Sequence, residues 1–272
     1  MPELPEVETV KETLKKQILR KKIKRIKIYY DGIIATNIED FKKKIVNQEF
    51  IDITRRGKYL IFELKDYYLV SHLRMEGKFF VKNNKDKILK HEHVIFDLDD
   101  ISLRYHDTRK FGKMFLVDKD KLFVDTPLSH IGLEPWDESL TISYLKEKYN
   151  QNKAIKTLLL DQNILTGIGN IYADEILFMS KINPYKKGKM LSDDDIQNII
   201  NNTRKVLSAA IKMGGTTIRS YTSSLGVTGH FQGELLVHNR DGEVCKNCKT
   251  IIIKTKINGR GTYYCPSCQK GE

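Results

Sequence analysis

The sequence predicts an α+β fold: an N-terminal helix leading into a β-sandwich or barrel, then a helical region, then a small β-hairpin pinned by cysteines. Three observations carry this reading. Apolar residues recur at three and four positions at the start, short alternating runs follow to about residue 130, and after a Gly/Pro break the period returns to a helical one before a paired-cysteine module closes the chain.

Each element follows in order. From Glu6 the stripe Val7, Val10, Leu14, Ile18 predicts an amphipathic helix of about four turns, with Pro5 suited to its first turn. From "KIKRIKIYY" (22–30) the pattern becomes strand-like: "YLIFEL" (59–64), "YYLVSHL" (67–73), "KFFV" (78–81), "HVIFDL" (93–98), "SLRYHD" (102–107) and "KMFLV" (113–117). Turn signals such as "KDYY", "NNKD" and "LDDI" separate them. Gly132 and Pro135 in "GLEPWDESLT" interrupt the strands and mark a linker. Helical segments follow in "TISYLKEKYN", "AIKTLLLDQ", "GNIYADEILFMSK" and "SDDDIQNIINNTRKVLSAAIKMG", the last with Ser192 as N-cap and Gly214–Gly215 as its stop. The expected boundaries are 1–132, a linker at 133–140, 141–234 and 235–272.

Lys plus Arg is 47 against 35 Asp plus Glu in 272 residues, a net charge of +12 that points to a polyanionic partner, nucleic acid before an acidic membrane surface. No stretch approaches the roughly 20 apolar residues of a membrane span, and the acidic start lacks the regions of a signal peptide, so a cytoplasmic location is expected. All four cysteines, Cys245, Cys248, Cys265 and Cys268, lie in C-x2-C-x16-C-x2-C. Two such knuckles make the S4 set that zinc prefers and leave no coordination position open, so one structural Zn2+ is expected. Between them "KTIIIKTKINGRGTYY" reads as a hairpin turning at Asn258–Gly259 and presenting Arg260, either to phosphate or to solvent.

The opening "MPELPEVETV" places Pro2 directly behind the initiator methionine. Trimming of Met1 would leave a secondary α-amine, which titrates roughly two to three units below lysine and is therefore nucleophilic near neutrality, with Glu3 beside it. "LTGIGNIYADEIL" (165–177) sets glycines before a helix, where backbone amides and Asn170 could meet a phosphate. "HLRMEG" (72–77) and "HDTRKFG" (106–112) put Met75, Arg109 and Phe111 on turns, the equipment for opening a base pair and filling the gap. Read singly, each of Met75, Arg109 and Phe111 is a core or surface residue, and His72, His91 and His93 are more often structural histidines than ligands.

Together the "PELPEVE" start, "RRGKYL", "HLRMEG", "DTRKFG", "TGIGNIYADE" and "GRGTYYCPSCQ", in that order along essentially the whole chain, resemble the formamidopyrimidine-DNA glycosylases, bifunctional enzymes that excise oxidised purines. The resemblance implies a β-sandwich, a helix-two-turn-helix module and a zinc hairpin, acting as a monomer on double-stranded DNA that contains oxidised purines or abasic sites, away from any membrane. It implies that Pro2 attacks C1′ of the damaged nucleotide and forms a Schiff base, with Glu3 as acid and proton shuttle, and that β,δ-elimination follows. Lys58 and Arg260 join Pro2 and Glu3 in the implied catalytic group, both as phosphate contacts near the lesion. The implied DNA-binding set is Glu6, holding the N-terminus, His72 and Asn170, which act with Arg260 as phosphate clamps, the void-filling Met75, Arg109 and Phe111, Lys156 near the damaged base, and His93 and His238. A loop at about 216–227 is expected to close over the everted base. Where many relatives carry a tyrosine, this chain has His238, which could donate to phosphate in a pH-dependent way. Two other readings remain: an endonuclease VIII-type glycosylase for oxidised pyrimidines, and a non-catalytic zinc-finger DNA-binding protein.

Overall fold

The computed structural model describes residues 1–216 and 229–271. They fall into two compact units, Met1–His130 with Gly214–His230, and Ile131–Met213 with Phe231–Glu272.

In the first unit α1 (Leu4–Ile18) begins at the N-cap Glu3, which forms a capping box with Glu6, and carries a proline in its first turn. Val7, Val10, Leu14 and Ile18 are buried as the periodicity predicts, each such side chain contributing roughly 1.5–3 kcal/mol. Two antiparallel four-stranded sheets lie beneath it. One runs β1 (Arg25–Ile28), β6 (Glu92–Leu98), β7 (Ile101–His106), β5 (Lys78–Asn83), and the other β2 (Phe50–Arg56), β3 (Tyr59–Leu64), β4 (Tyr67–His72), β8 (Lys113–Asp118). Separate sheets make this a sandwich, not a barrel. Phe62, Phe79 and Tyr105 stack edge to face within the core.

Two elements are not evident from the sequence pattern. The eight-residue α2 (Ile38–Ile45) is capped by Asn37, whose Oδ1 accepts from Glu39 and Asp40 N–H, both at 3.0 Å. Strand β2 carries charges that obscure its alternation, and they are satisfied by α1: Lys15 meets Asp52 at 2.7 Å and Arg55 meets Glu8 at 2.8 Å.

The second unit holds α3 (Ile142–Tyr149), α4 (Ile155–Leu159), α5 (Asn170–Met179) and α6 (Asp193–Lys212). The connection from α4 to α5 is knitted by Gln162, which donates to the carbonyls of Leu160 and Ile168 and accepts from Gly167 N–H. This is the helix-two-turn-helix arrangement. Ser192 and Asp195 exchange capping bonds of 3.0 and 3.1 Å at the start of α6, and Gly214 and Gly215, both at positive φ, follow its end. Strands β9 (Ile253–Ile257) and β10 (Arg260–Tyr264) pair antiparallel across Asn258–Gly259, two successive positive-φ residues as a tight primed turn requires. The hairpin packs on α5 through Phe178, Val237, Ile252 and Tyr263, together with Cys245 and Cys265. No described helix is long and apolar enough to cross a membrane.

Candidate functional site

Strand register places three turns of the first unit at one end of the sandwich. Tyr59, His72 and Lys113 are opposite one another across β3, β4 and β8, while Lys78, His106 and Glu92 align across β5, β7 and β6. The turns carrying Lys58, Met75, and Arg109 with Phe111 therefore emerge together.

The turn 72–77 and the turn 106–112 are fixed to each other by Tyr105. Its hydroxyl fills the space that a Cβ on Gly77 or on Gly112 would need, so only glycine fits either site. Asp107 then accepts from Arg109 N–H at 3.0 Å and Gly112 N–H at 2.8 Å, and Thr108 donates to Glu76 across the two turns. The result presents the Arg109 guanidinium 4.8 Å over the Phe111 ring, with that ring half exposed. Met75 is half-buried on the neighbouring turn.

His72 sits at the end of β4, edge-on to Tyr59 at 4.5 Å. The backbone N–H of Arg74 donates to its Nδ1 at 2.9 Å, so the ring hydrogen belongs on Nε2. Burial, followed by the charges of Arg74 and Lys58, pushes its pKa down to about 3. His72 thus offers a neutral N–H donor that stays neutral through the physiological range. Lys58 is buried beside it in the β2–β3 turn, whose Gly57 carbonyl accepts from Arg55 at 3.0 Å.

The N-terminus is held by one carboxylate. Glu6 Oε2 accepts from Glu3 N–H at 2.8 Å, and Glu6 Oε1 accepts from the Thr216 N–H at 2.7 Å and hydroxyl at 3.1 Å. Pro2 and Glu3 are buried alongside these contacts, while Met1 is exposed. Glu6 therefore anchors the chain start from within and does not face outward. The expected closing loop at 216–227 lies outside the described residues, apart from Thr216 at its base.

His93 belongs to the expected DNA-binding set. Its Nε2 bonds the Asp107 carbonyl at 2.9 Å and its ring is buried against Tyr30, so it supports the Arg109 turn and does not present that nitrogen to a ligand.

In the second unit, Asn170 begins α5 and donates from Nδ2 to the Gly261 carbonyl at 2.9 Å, which sets the hairpin against the helix start. Arg260, next to Gly261, is exposed at the turn. Lys156, expected near the damaged base, has 1 % of its side chain exposed, and its ammonium donates to Asp174 at 2.6 Å and to the same Gly261 carbonyl at 2.8 Å. It ties α4, α5 and the hairpin together. Asp174 also meets His238 Nδ1 at 2.7 Å, and Glu175 accepts three backbone N–H groups from Leu236, Val237 and His238. Burial pushes the Glu175 carboxyl up despite those bonds. Asp107, Asp174, Glu175 and Tyr105 are the site residues that sequence reasoning missed. Only the "ADE" triplet, two acids on an otherwise apolar helix, hinted at any of them.

The four cysteine Sγ atoms lie within 4.8 Å of one another, with Cys245–Cys268 at 3.9 Å and Cys248–Cys265 at 3.4 Å. Four thiolates at about 2.3 Å from a zinc ion stand about 3.8 Å apart, so the cluster fits a tetrahedral zinc site. Gln269 supports the second knuckle, accepting from Cys265 N–H at 3.0 Å and donating to the Ile182 carbonyl at 2.9 Å.

A helix-led β-sandwich, a helix-two-turn-helix unit and a zinc hairpin define a DNA repair glycosylase with a zinc finger. Residues 1–114 match the family described as "Formamidopyrimidine-DNA glycosylase N-terminal domain", 131–222 the "Formamidopyrimidine-DNA glycosylase H2TH domain", and 242–271 the "Zinc finger found in FPG and IleRS". The chain is 44% identical to the formamidopyrimidine-DNA glycosylase of Oceanobacillus iheyensis, covering 99% of this chain and 98% of that one, and 44% identical to that of Ligilactobacillus salivarius, covering 99% of each. Its fold matches a mutant of the Lactococcus lactis FPG in complex with Fapy-dG containing DNA, with a TM-score of 0.95, 41% identity and coverage of 99% and 100%. The L. lactis complex with abasic site containing DNA matches with a TM-score of 0.94 and 41% identity over the same shares. The chain belongs to the formamidopyrimidine-DNA glycosylase family.

Proposed function

We propose that the chain binds double-stranded DNA, excises oxidised purines such as 8-oxoguanine and formamidopyrimidines, and cleaves the strand at the resulting site. Once Met1 is removed, the Pro2 amine attacks C1′ of the damaged nucleotide, the base departs with a proton delivered through Glu3, and the sugar opens to an iminium on Pro2. That iminium acidifies the adjacent C2′–H. Loss of this proton expels the 3′ phosphate, and a second elimination expels the 5′ phosphate.

The single observation that carries the reading is the anchoring of Glu3 by Glu6, directly after a buried Pro2, in a part of the chain that ordinarily frays. Around it, Lys58 and the neutral donor of His72 supply phosphate contacts. Met75 and Phe111 fill the space of the everted nucleotide, and Arg109 reads the orphaned cytosine. In the second unit Asn170, Arg260 and His238 contact phosphate. One structural zinc holds the hairpin that carries Arg260 and Gly261.

A labelled duplex with 8-oxoguanine opposite cytosine tests this. Base release and a one-nucleotide gap with phosphate on both ends are expected. Pro2→Gly should bind but lose most strand cleavage, and Glu3→Gln should bind and excise little. Undiminished cleavage by both variants would reject the mechanism. An oxidised-pyrimidine substrate is a second reading, because a solved L. lactis FPG complex carries an oxidized pyrimidine containing DNA, at a TM-score of 0.93 and 40% identity. Faster excision from a matched pyrimidine-lesion duplex would favour it.

A further inference from the structure

Both turns that carry the void-filling residues cross from one sheet to the other. The turn 72–77 leaves β4 and enters β5, and the turn 106–112 leaves β7 and enters β8. Because β4 pairs with β8 and β5 with β7, the two crossovers run side by side in opposite directions. Each contains a left-handed residue, Arg74 at φ 54° and Lys110 at φ 58°, and each ends on a buried glycine, Gly77 or Gly112. Crossovers so placed are neighbours, but their own backbones do not oblige them to move together.

Tyr105 removes that freedom. It is fully buried near the end of β7, paired with Phe79 of β5 and Val94 of β6, with the Phe79 ring edge-on at 5.1 Å. Its hydroxyl abuts the backbone of both glycines, where a Cβ on either would overlap it. The same hydroxyl donates to Asp107 Oδ2 at 3.3 Å, the oxygen that accepts from Gly112 N–H at 2.8 Å. Asp107 is sealed as well, and its carbonyl accepts from His93 Nε2 at 2.9 Å. The bond from Thr108 to Glu76 also joins the turns, but it lies in solvent, where water competes for both partners. Close-packed interiors transmit displacement, so the buried hydroxyl is the stiffer joint.

We propose that Tyr105 is a positioning residue whose hydroxyl makes the two turns one body, so that Met75 enters the duplex and Arg109 meets the opposite base together or not at all. This deepens the lesion-recognition reading and rests on it. The consequence is energetic. A body that inserts in one step sets the contacts of Met75 and Arg109 jointly against the cost of unstacking the duplex. Removing either residue leaves the other too weak to offset that cost, and the whole body stays out. Turns that moved separately would each lose only their own contribution.

A double-mutant cycle tests this on the zinc-loaded protein with an uncleavable duplex carrying a tetrahydrofuran abasic analogue opposite cytosine. Affinity is measured for the wild type, Met75→Ala, Arg109→Ala and the double variant. The set is repeated with Tyr105→Phe added, which keeps the ring and deletes the oxygen. With Tyr105 intact, each single loss should come close to the double loss, so that the product of the single losses exceeds it by at least about fivefold. With Tyr105→Phe the single losses should multiply to the double loss within about twofold. A general loss of folded protein would scale all the affinities of a set alike and leave their ratios unchanged. Losses that multiply with Tyr105 intact would overturn the proposal whether or not Tyr105→Phe folds. Coupling that persists in Tyr105→Phe would overturn it as well and assign the joint to Thr108 and Glu76. Failure of the wild type to bind the duplex would instead overturn the DNA-binding reading on which the proposal rests.

Discussion

The polar groups on the sandwich edge are held by the backbone, whereas those on the helix and hairpin face are held by buried charge. His72 takes its tautomer from Arg74 N–H, Asp107 orders the Arg109 turn through two amides, and Glu6 grips the amides of Glu3 and Thr216. On the other unit the comparable place is filled by Lys156, Asp174 and His238, whose side chains bond one another out of water. Backbone donors do not titrate and are fixed by the fold. A buried ionic chain is sensitive to the loss of any member. The difference predicts unequal tolerance, with loss of one side chain costing the helix and hairpin face more than the sandwich edge.

The contrast between the units should collapse most severely on damage to the zinc site. Cys245→Ser should release the metal to a chelator, unfold the hairpin and weaken DNA binding at least about tenfold, because zinc binding in such small modules contributes apparent energies of about 10 kcal/mol or more to folding. Zinc content by atomic spectroscopy and affinity for the abasic-analogue duplex check this, and full affinity without zinc would remove the claim. Next comes Asp174→Asn, which leaves the Lys156 ammonium enclosed without its anionic partner. A cost of about 3–5 kcal/mol is expected, read as a lower melting temperature. Asp107→Asn on the sandwich edge should cost less, about 1–3 kcal/mol, since an amide oxygen can still accept one of the two backbone bonds. Equal losses would dissolve the contrast.

Per pH unit, the smallest effect concerns acid. The folded His72 pKa, about 3, lies below the ordinary histidine value of about 6.5, so the unfolded chain binds a proton that the folded chain refuses. Its contribution is fully present above the unfolded pKa and is lost as pH falls from about 6.5 towards 3, at no more than about 1.4 kcal/mol per pH unit. Chemical-unfolding curves between those limits should be shallower in pH for His72→Gln than for the wild type. An unchanged slope would mean that His72 is not the neutral donor its hydrogen bond indicates.

Much of the architecture was legible because it is periodic. The stripe of α1, the alternation of six strands and the Ser192 cap each express a local rule that tertiary structure did not override. Strand β2 and helix α2 were hidden for opposite reasons: Asp52, Arg55 and Arg56 interrupt the apolar pattern of one, and the other is only eight residues long. The turns bearing Met75, Arg109 and Phe111 could be found from residue type, but not what locks them. Tyr105 read as an ordinary strand tyrosine, although its hydroxyl sets both turn glycines. Asp174 and His238 are 64 residues apart, and no local pattern joins them. The enclosure of Lys156 was not legible either, because burial of a lysine leaves no trace in sequence, only in the carboxylate that meets it.

The proposed chemistry depends on the N-terminal amine of the sandwich unit. Borohydride reduction of the protein, with Met1 removal verified, during reaction with a duplex carrying 8-oxoguanine opposite cytosine should leave one covalent adduct. Peptide mass spectrometry should place it on Pro2. An adduct on a lysine, or none at all from zinc-loaded protein that binds the duplex, would contradict the N-terminal mechanism.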